Sequence, residues 1–192
     1  MRRTLTAWLT LAVLFSTAPA EATIVLQLSD ATLARDADAI VHGRVVSKSA
    51  AWHTTTRRIY TTYQIEALQF VKSPTISTQR PRTLAVRVLG GTVGHYGMRV
   101  AGTTRMSVGD EVVLFLERVR GEWMVLGMSQ GKFEVYRDAK TNTRWVRARR
   151  TGLTLATRDK SGRLMYTHAK PRPDRRFDAF LQQIRNHLKA KR

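Results

Sequence analysis

Residues 90–107 hold the densest set of groups that could contact a ligand, because glycines alternate here with polar side chains. The candidate contacts in this stretch are His95, Tyr96, Arg99 and Arg105. A phosphate-binding loop needs its glycines followed directly by a Lys-Ser/Thr pair and a helix, so that several N–H groups converge on the anion. No such pair follows, and the run after Gly109 is β-branched. The stretch is therefore predicted to be a long connection between neighbouring strands.

The sequence shows none of the usual catalytic or metal-binding patterns. It contains no cysteine, which excludes thiol catalysis and cysteine–zinc sites. The histidines are His42, His53, His95, His168 and His187, and no two have the spacing of metal ligands on one face of an element. No serine lies in a nucleophile-elbow motif. We therefore assign no catalytic residue, metal or cofactor, and a cryptic hydrolase is kept only as an alternative.

The charge of the chain is concentrated near its end. The whole chain carries +19, and residues 137–192 contain 17 basic residues against Asp138, Asp159, Asp174 and Asp178, a net charge of +13. Such a field attracts anionic polymers and membrane surfaces. The predicted ligand-binding residues of this region are Arg144, Trp145, Arg147, Arg149, Arg150, Arg163, Arg172, Arg175 and Arg176. Trp145 joins this set because it shares a strand face with Arg147 and Arg149 and can stack on a ligand.

The first 22 residues predict export. Arg2 and Arg3 precede an apolar run of about eleven residues, and Ala20 and Ala22 have the spacing that a signal peptidase requires. We therefore expect cleavage near Ala22 and a secreted or periplasmic protein. The rest of the chain is expected to divide into a body at 23–136, a basic hairpin or extension at 137–172, and a basic helix at 173–192.

Alternating residues predict that the body is mainly β. Residues 58–72 place Ile59, Thr61, Tyr63 and Ile65 on one face of a strand, and Gly43 predicts a bulge in the strand before it. Ser29 suits the N-cap of a short helix before these strands. Several antiparallel strands without βα alternation favour a small barrel of the oligonucleotide/oligosaccharide-binding (OB) type, with a β-sandwich as the alternative.

The end of the chain changes to a helical period. Its apolar stripe consists of Phe177, Phe180, Leu181, Ile184 and Leu188. We expect this amphipathic helix to begin near Pro173 and to pack on the barrel, because two phenylalanines need burial; binding flat on an anionic membrane is the alternative. Before the helix, the segment "TRWVRAR" is expected to pair with "LMYTHA" as the two strands of the basic hairpin.

A set of short motifs from Ala37 to Tyr136 resembles a family of uncharacterised secreted bacterial proteins. The motifs are ADAIVHGRVV, RIYTTY, VLGG, GDEVVLFL and GKFEV. This resemblance implies an exported β protein and carries no known activity. The first motif also resembles netrin-like OB-type modules, which include tissue inhibitors of metalloproteinases. Those inhibitors depend on cysteines that this chain lacks, so the resemblance does not carry their mechanism over.

These observations predict an exported, non-enzymatic binding protein. Its basic C-terminal region is expected to contact an anionic polymer or an envelope surface. A protein partner in the envelope, bound through the loops of the barrel, is the alternative. The oligomeric state does not follow from the sequence.

Overall fold

A computed structural model describes residues 23–74, 81–150, 152–169 and 171–190. The predicted signal peptide, residues 1–22, lies outside the described residues. The strands are β1 (Thr23–Leu26), β2 (Ala39–His53), β3 (Arg58–Lys72), β4 (Thr83–Leu89), β5 (Gly91–Val93), β6 (Tyr96–Met98), β7 (Glu111–Val119), β8 (Glu122–Val125), β9 (Lys132–Arg137), β10 (Arg144–Arg147), β11 (Leu153–Arg158), β12 (Leu164–His168) and β13 (Arg175–Arg176). The helices are α1 (Asp30–Asp36) and α2 (Phe177–Lys189), with a 3₁₀ turn at Met128–Gly131. The prediction of a mainly β chain with two helices is confirmed.

Five strands close into a ring in the order β2-β3-β4-β8-β7 and back to β2. All pairs in the ring are antiparallel except β4 with β8, which run parallel. Beyond β7 the main sheet continues through β9 and β10 to β13. A second sheet has the order β1-β11-β12, and β5 pairs with β6 in a separate hairpin. The ring therefore forms the body, and the C-terminal strands extend its sheet.

Side chains that alternate along β3 fill the interior of the ring. Tyr63 and Ile65 are buried there beside Leu84 and Val86 of β4, while the residues between them are only partly covered. This pattern confirms the predicted inner face of the strand. One apolar face is sufficient for β3 and β4, because their opposite face meets solvent.

Strand β7 differs because both of its faces are buried. Val112 and Leu114 belong to the core inside the ring, whereas Val113 and Phe115 belong to a second core that lies between the ring and the helices. A strand covered on both sides needs apolar residues at consecutive positions. The two cores thus explain the unbroken "VVLFL" run of the sequence.

Helix α2 packs on the ring through the predicted stripe. Phe177, Phe180, Leu181 and Ile184 are buried, and Leu188 packs against the same core while remaining partly exposed. The Phe180 ring lies 4.7 Å from that of Phe133 and 6.4 Å from that of Phe115 between centroids. Packing on the body is confirmed as the role of this stripe, although the helix begins at Phe177 and not near Pro173.

Two local predictions about the N-terminal half are also confirmed. The Ser29 side chain accepts a hydrogen bond from the Thr32 backbone N–H at 3.0 Å and so caps α1. The register of β2 against β3 shifts at His42/Gly43, which marks the expected bulge. A Cβ at Gly43 would lie 2.5 Å from the Glu66 carbonyl oxygen, so only glycine fits this close approach of two backbones.

The predicted pairing of the basic hairpin is wrong. The "TRWVRAR" segment forms β10, which pairs with β9 and β13, whereas "LMYTHA" forms β12, which pairs with β11. The reason is burial: Val146 of β10 enters the helix-side core, so this strand has to continue the main sheet. The partner of β12 is supplied by residues 153–158, whose Leu153 and Leu155 are buried.

The aromatic cluster under α2 predicts a large and specific loss of stability when Phe180 is truncated. We expect Phe180→Ala to lower the free energy of unfolding by about 3–5 kcal/mol, since it removes a ring that is fully enclosed by two others. Urea-induced unfolding followed by tryptophan fluorescence measures this loss. Gln182→Ala, at an exposed position of the same helix, is the control and should change the free energy by less than about 0.5 kcal/mol. Equal stability of the two variants would contradict the packing role of α2.

Candidate functional site

Most of the predicted ligand-binding arginines form ion pairs within the protein. The pairs are Arg144–Asp178 (3.3 Å), Arg147–Asp174 (2.7 Å), Arg149–Glu134 (2.7 Å), Arg172–Asp30 (2.7 Å) and Arg175–Asp30 (2.6 Å). These arginines therefore hold the C-terminal segment against the body. The excess positive charge of the region therefore comes from the arginines and lysines that form no ion pair.

Asp30 is the most buried acidic partner in this set. It lies in the first turn of α1, and only 5% of its surface is exposed. Arg172 donates to both of its carboxylate oxygens, at 2.7 and 3.1 Å, and Arg175 donates to Oδ2 at 2.6 Å. The Arg175 guanidinium also lies 4.5 Å from the centroid of the Phe180 ring. One carboxylate thus ties α1 to the segment that leads into α2.

The two arginines determine the ionisation of Asp30. Burial by itself raises the pKa of this carboxyl, but the hydrogen bonds and charges of Arg172 and Arg175 outweigh burial and lower the pKa below its ordinary value. Asp30 is therefore an anion in the folded protein, and its charge offsets one of the two arginines that it contacts.

Arg150 adds a third cation to this cluster without a partner of its own. Only 8% of its surface is exposed, and its Nε and one Nη have no hydrogen-bond partner among the described residues. Burial lowers the pKa of Arg150, and the positive charge of Arg172 lowers it further. Most buried polar groups in proteins are hydrogen-bonded, so the guanidinium of Arg150 is an exception in this chain.

Asp30, Arg150 and Arg172 line one cleft of about 720 Å³ between α1, the second sheet and the chain that leads into α2. Its polar lining includes Arg150, Arg172, His168 and His187, and Asp30 is the only carboxylate among the described residues that line it. Leu28, Leu155, Pro171 and Pro173 supply apolar walls. The arrangement offers several N–H donors to an anionic group and few competing acceptors.

The other predicted C-terminal contacts lie outside the cleft. Arg147 lies over the Tyr136 ring at 4.6 Å, and both side chains hydrogen-bond to Asp174, so Arg147 is committed to this network. Trp145 lies opposite Tyr136 in the sheet and is half-buried. Arg163 and Arg176 are exposed, and neither forms an ion pair with another described residue. The nine predicted residues thus do not form a single face.

The turn between β11 and β12 presents a second cationic group. Arg158, Lys160 and Arg163 are all exposed here, and no carboxylate among the described residues pairs with them. The one acid of the turn, Asp159, accepts hydrogen bonds from the Ser161 side chain and from the backbone N–H groups of Ser161 and Arg163. Every residue of β12 is exposed, including Met165 at 52% and Tyr166 at 59%.

The four loop candidates separate into two pairs. Arg99 and Arg105 line a groove of about 690 Å³ at the end of β2, β3 and β4. His95 lies in the exposed turn between β5 and β6, and Tyr96 contacts Trp52 edge-on with the ring centroids 5.9 Å apart. The predicted long connection therefore contains a small hairpin followed by an irregular segment. Only the two arginines contribute to a concave surface.

His42 is the histidine with the closest acidic partner. Its Nε2 lies 2.7 Å from Oε1 of Glu111, and its ring packs on Phe177 with centroids 4.7 Å apart. No serine or threonine hydroxyl hydrogen-bonds to His42 among the described residues, and no group of three acidic or histidine side chains there could hold a metal ion. The contacts of His42 are those of a buried strand residue that satisfies its polar atom.

Sequence reasoning missed two residues that build the cleft. The role of Asp30 has no local signal, because its arginine partners lie 142 and 145 residues further along the chain. Gln130 accepts a hydrogen bond from the Leu28 backbone and donates one to the Leu26 carbonyl, both at 2.9 Å, so it fixes the chain that enters α1. Neither pairing leaves a periodic or local signal in the sequence.

Fold and cleft together define a mainly β protein with a closed five-strand ring and an arginine-lined cleft at the side of the ring. No protein-family model, no curated protein and no solved structure matches the chain. The resemblance to secreted bacterial proteins and to netrin-like modules therefore stays a prediction. Neither helix of the described part is long and apolar enough to cross a membrane.

The buried carboxylate predicts a stability difference that depends on pH. We expect Asp30→Asn to lower the free energy of unfolding by about 3 kcal/mol at pH 7, because it leaves three arginines close together without their anion. The folded-state pKa of Asp30 is depressed, so its contribution is present above its ordinary value near 3.8 and is lost as the pH falls through the folded-state pKa. Urea unfolding at pH 7 and at pH 3 should therefore show a smaller difference from the wild type at pH 3.

The control for this comparison is Asp178→Asn. Asp178 is highly exposed and pairs with Arg144 at 3.3 Å, and an exposed pair of this kind contributes less than about 1 kcal/mol. A difference between Asp30→Asn and the wild type that stays the same at both pH values would show that the carboxylate charge is not what stabilises the fold.

Proposed function

We propose that this chain is an exported, non-enzymatic binding protein that attaches to an anionic envelope surface through its basic C-terminal region. Export rests on the predicted signal peptide at residues 1–22. The attachment rests on the hairpin of β11 and β12 (residues 153–168), which replaces the predicted hairpin of the sequence analysis and is called the basic hairpin from here on. It carries unpaired cations at its turn and exposed apolar side chains along β12.

The composition of the basic hairpin is the observation that carries this proposal. Leu164, Met165 and Tyr166 are exposed directly beside the three cations of the turn, Arg158, Lys160 and Arg163. Soluble proteins rarely leave a large apolar side chain exposed beside others without a partner for it. A lipid or glycolipid surface with negative head groups offers both partners, since cations meet the head groups and apolar side chains enter the interface.

The other arginines of the region support the same interpretation because most of their charges are paired within the protein. Because five of them are held in ion pairs, the local field at the turn comes from side chains that have no internal acid to neutralise them. Each Lys or Arg near an anionic membrane contributes about 1 kcal/mol to binding. Three such residues are enough to bind the domain weakly to an anionic membrane, and the apolar contacts add to this attraction.

We further infer that the five-strand ring is a barrel of the OB type. Within the ring, the first strand pairs with the second and the fourth, and the third runs parallel to the fifth. A five-stranded Greek-key arrangement of this order supports the inference. In this view the barrel is the rigid support, and the basic hairpin projects from the sheet that packs beside it.

Removal of the three turn cations tests the proposed attachment. We expect Arg158→Gln/Lys160→Gln/Arg163→Gln to bind vesicles of phosphatidylcholine with phosphatidylglycerol roughly a hundredfold more weakly than the wild type, since about 3 kcal/mol of attraction is lost. Co-sedimentation with vesicles at low and moderate salt measures the affinity. Binding of the wild type should weaken as salt rises, because the cations act through a screened field.

The matched control is Arg57→Gln/Arg58→Gln/Arg82→Gln, which removes the same charge from exposed positions of the body. This variant should keep most of the affinity. Equal weakening in both triple variants would show that only total charge matters, and wild-type binding that ignores salt would refute the electrostatic attachment. Retention by a protein from the envelope fraction, with no affinity for vesicles, would favour a protein partner instead.

A further inference from the structure

The charges around Asp30 do not balance within the described residues. Arg150, Arg172 and Arg175 contribute three positive charges, and Asp30 contributes one negative charge. The cluster therefore has an excess of two positive charges, with Asp30 and Arg150 buried and the side chains of Arg172 and Arg175 32% and 24% exposed. Buried charges in proteins are normally paired, so an anion bound beside Arg150 would complete the cluster.

Arg150 points to where that ligand binds. Its Nε and one Nη have no partner among the described residues, and the side chain lines the cleft beside Asp30 and Arg172. The backbone of the cleft is fixed independently of any ligand, because Arg175 lies on β13, whose register with β10 places it opposite Val146. Arg150 is thus a fixed part of the cleft wall. Its Nε and this Nη lie below the surface, so an anion in the cleft meets the positive charge of the guanidinium and not these two atoms.

The size of the charge excess selects the class of anion. A carboxylate carries a single charge and would leave one positive charge uncompensated, whereas a phosphate monoester carries close to two negative charges at neutral pH and three acceptor oxygens. The planar guanidinium group matches phosphate oxygens with two parallel hydrogen bonds. Donors from His168 and His187 lie in the same cleft. A phosphate dianion therefore fits both the charge and the donor set.

The volume of the cleft allows more than a phosphate group. At about 720 Å³ it falls in the range of sites for small organic ligands, and Leu28, Leu155, Pro171 and Pro173 form apolar walls beyond the cations. We propose that this cleft binds a phosphate monoester, with the phosphate at Arg150 and Arg172 and the attached organic group against the apolar walls. Asp30 holds Arg172 in place and is itself held by Arg175, so neither Asp30 nor Arg175 needs to contact the ligand.

This inference deepens the proposed function and rests on it for one point only, the origin of the ligand. The same phosphate chemistry is offered by a soluble sugar phosphate and by the head group of a lipid in the envelope. Thr167 and His168, at the end of β12, line the cleft, so the basic hairpin and the cleft share a strand. A phosphate on the attached surface is therefore within reach of the cleft.

The test compares the wild type with Arg150→Met in isothermal titration with inorganic phosphate and with glucose 1-phosphate. We expect saturable binding of both by the wild type, and at least tenfold weaker binding by the variant, because one positive charge of the cleft is lost. Acetate at equal ionic strength should bind much more weakly than phosphate to the wild type. Arg163→Gln, in the basic hairpin and outside the cleft, is the control and should bind both phosphates as the wild type does.

The unfolding temperature distinguishes a ligand-binding role of Arg150 from a structural role. In phosphate-free buffer Arg150→Met should unfold at the same or a higher temperature than the wild type, because it removes a buried charge without a partner. Added phosphate should raise the unfolding temperature of the wild type more than that of the variant at the same concentration. Equal affinity of both proteins for phosphate, or a wild type that binds phosphate no better than acetate, would overturn the proposal.

Binding to vesicles distinguishes a lipid source of phosphate from a soluble source. It also tests the proposed attachment separately from the proposed phosphate site. A lipid source predicts that the wild type prefers phosphatidic acid to phosphatidylglycerol and that Arg150→Met loses this preference; a soluble source predicts no preference. The turn variant Arg158→Gln/Lys160→Gln/Arg163→Gln should lose vesicle binding and keep binding of glucose 1-phosphate. Failure of vesicle binding in the wild type, with phosphate binding intact, would refute the attachment and leave the cleft assignment standing.

Discussion

The shared carboxylate of Asp30 is the constraint on which the arrangement outside the ring depends. It is almost fully buried, and two arginines from the other end of the chain converge on it. An ionised carboxylate at this depth is stable only if charged donors replace its water. Asp30 therefore fixes where the chain before α2 runs, and that path closes one side of the cleft. The charge of a third arginine, Arg150, is then left over next to it.

The two cores make this constraint possible because they share a wall. Strand β7 turns Leu114 into the ring and Phe115 towards the helices, so the ring and the helical layer are held by the same backbone. Phe180 of α2 and Leu33 of α1 both enter the second core. Helices that are anchored in this way cannot separate without exposing aromatic surface, which is why an ion pair between their ends keeps its geometry. The position of the cleft is thus set by packing, and its chemistry is set by charge.

The predictions that depend on near neighbours in the sequence are confirmed. The predictions that depend on contacts between distant parts of the chain are not. Alternation in β3, the apolar stripe of α2, the cap at Ser29 and the bulge at Gly43 follow from the chemistry of near neighbours, and the structure confirms each of them. The partner of β12 depends on which strand buries Val146, and no local pattern encodes this choice. The net charge follows from the sequence, but the ion pairs of Asp30 do not, because its arginine partners lie more than a hundred residues away.

Strand β12 connects the two surfaces for which functions are proposed. Its first residues carry the exposed apolar side chains of the basic hairpin, and its last two residues line the arginine cleft. A strand advances about 3.4 Å per residue, so Met165 and His168 are separated by roughly 10 Å. Amphipathic elements bury their apolar face about 5–10 Å into the interface of a membrane. If the proposed attachment holds, a group at head-group depth and the cleft are therefore separated by a distance that a single bound molecule can span.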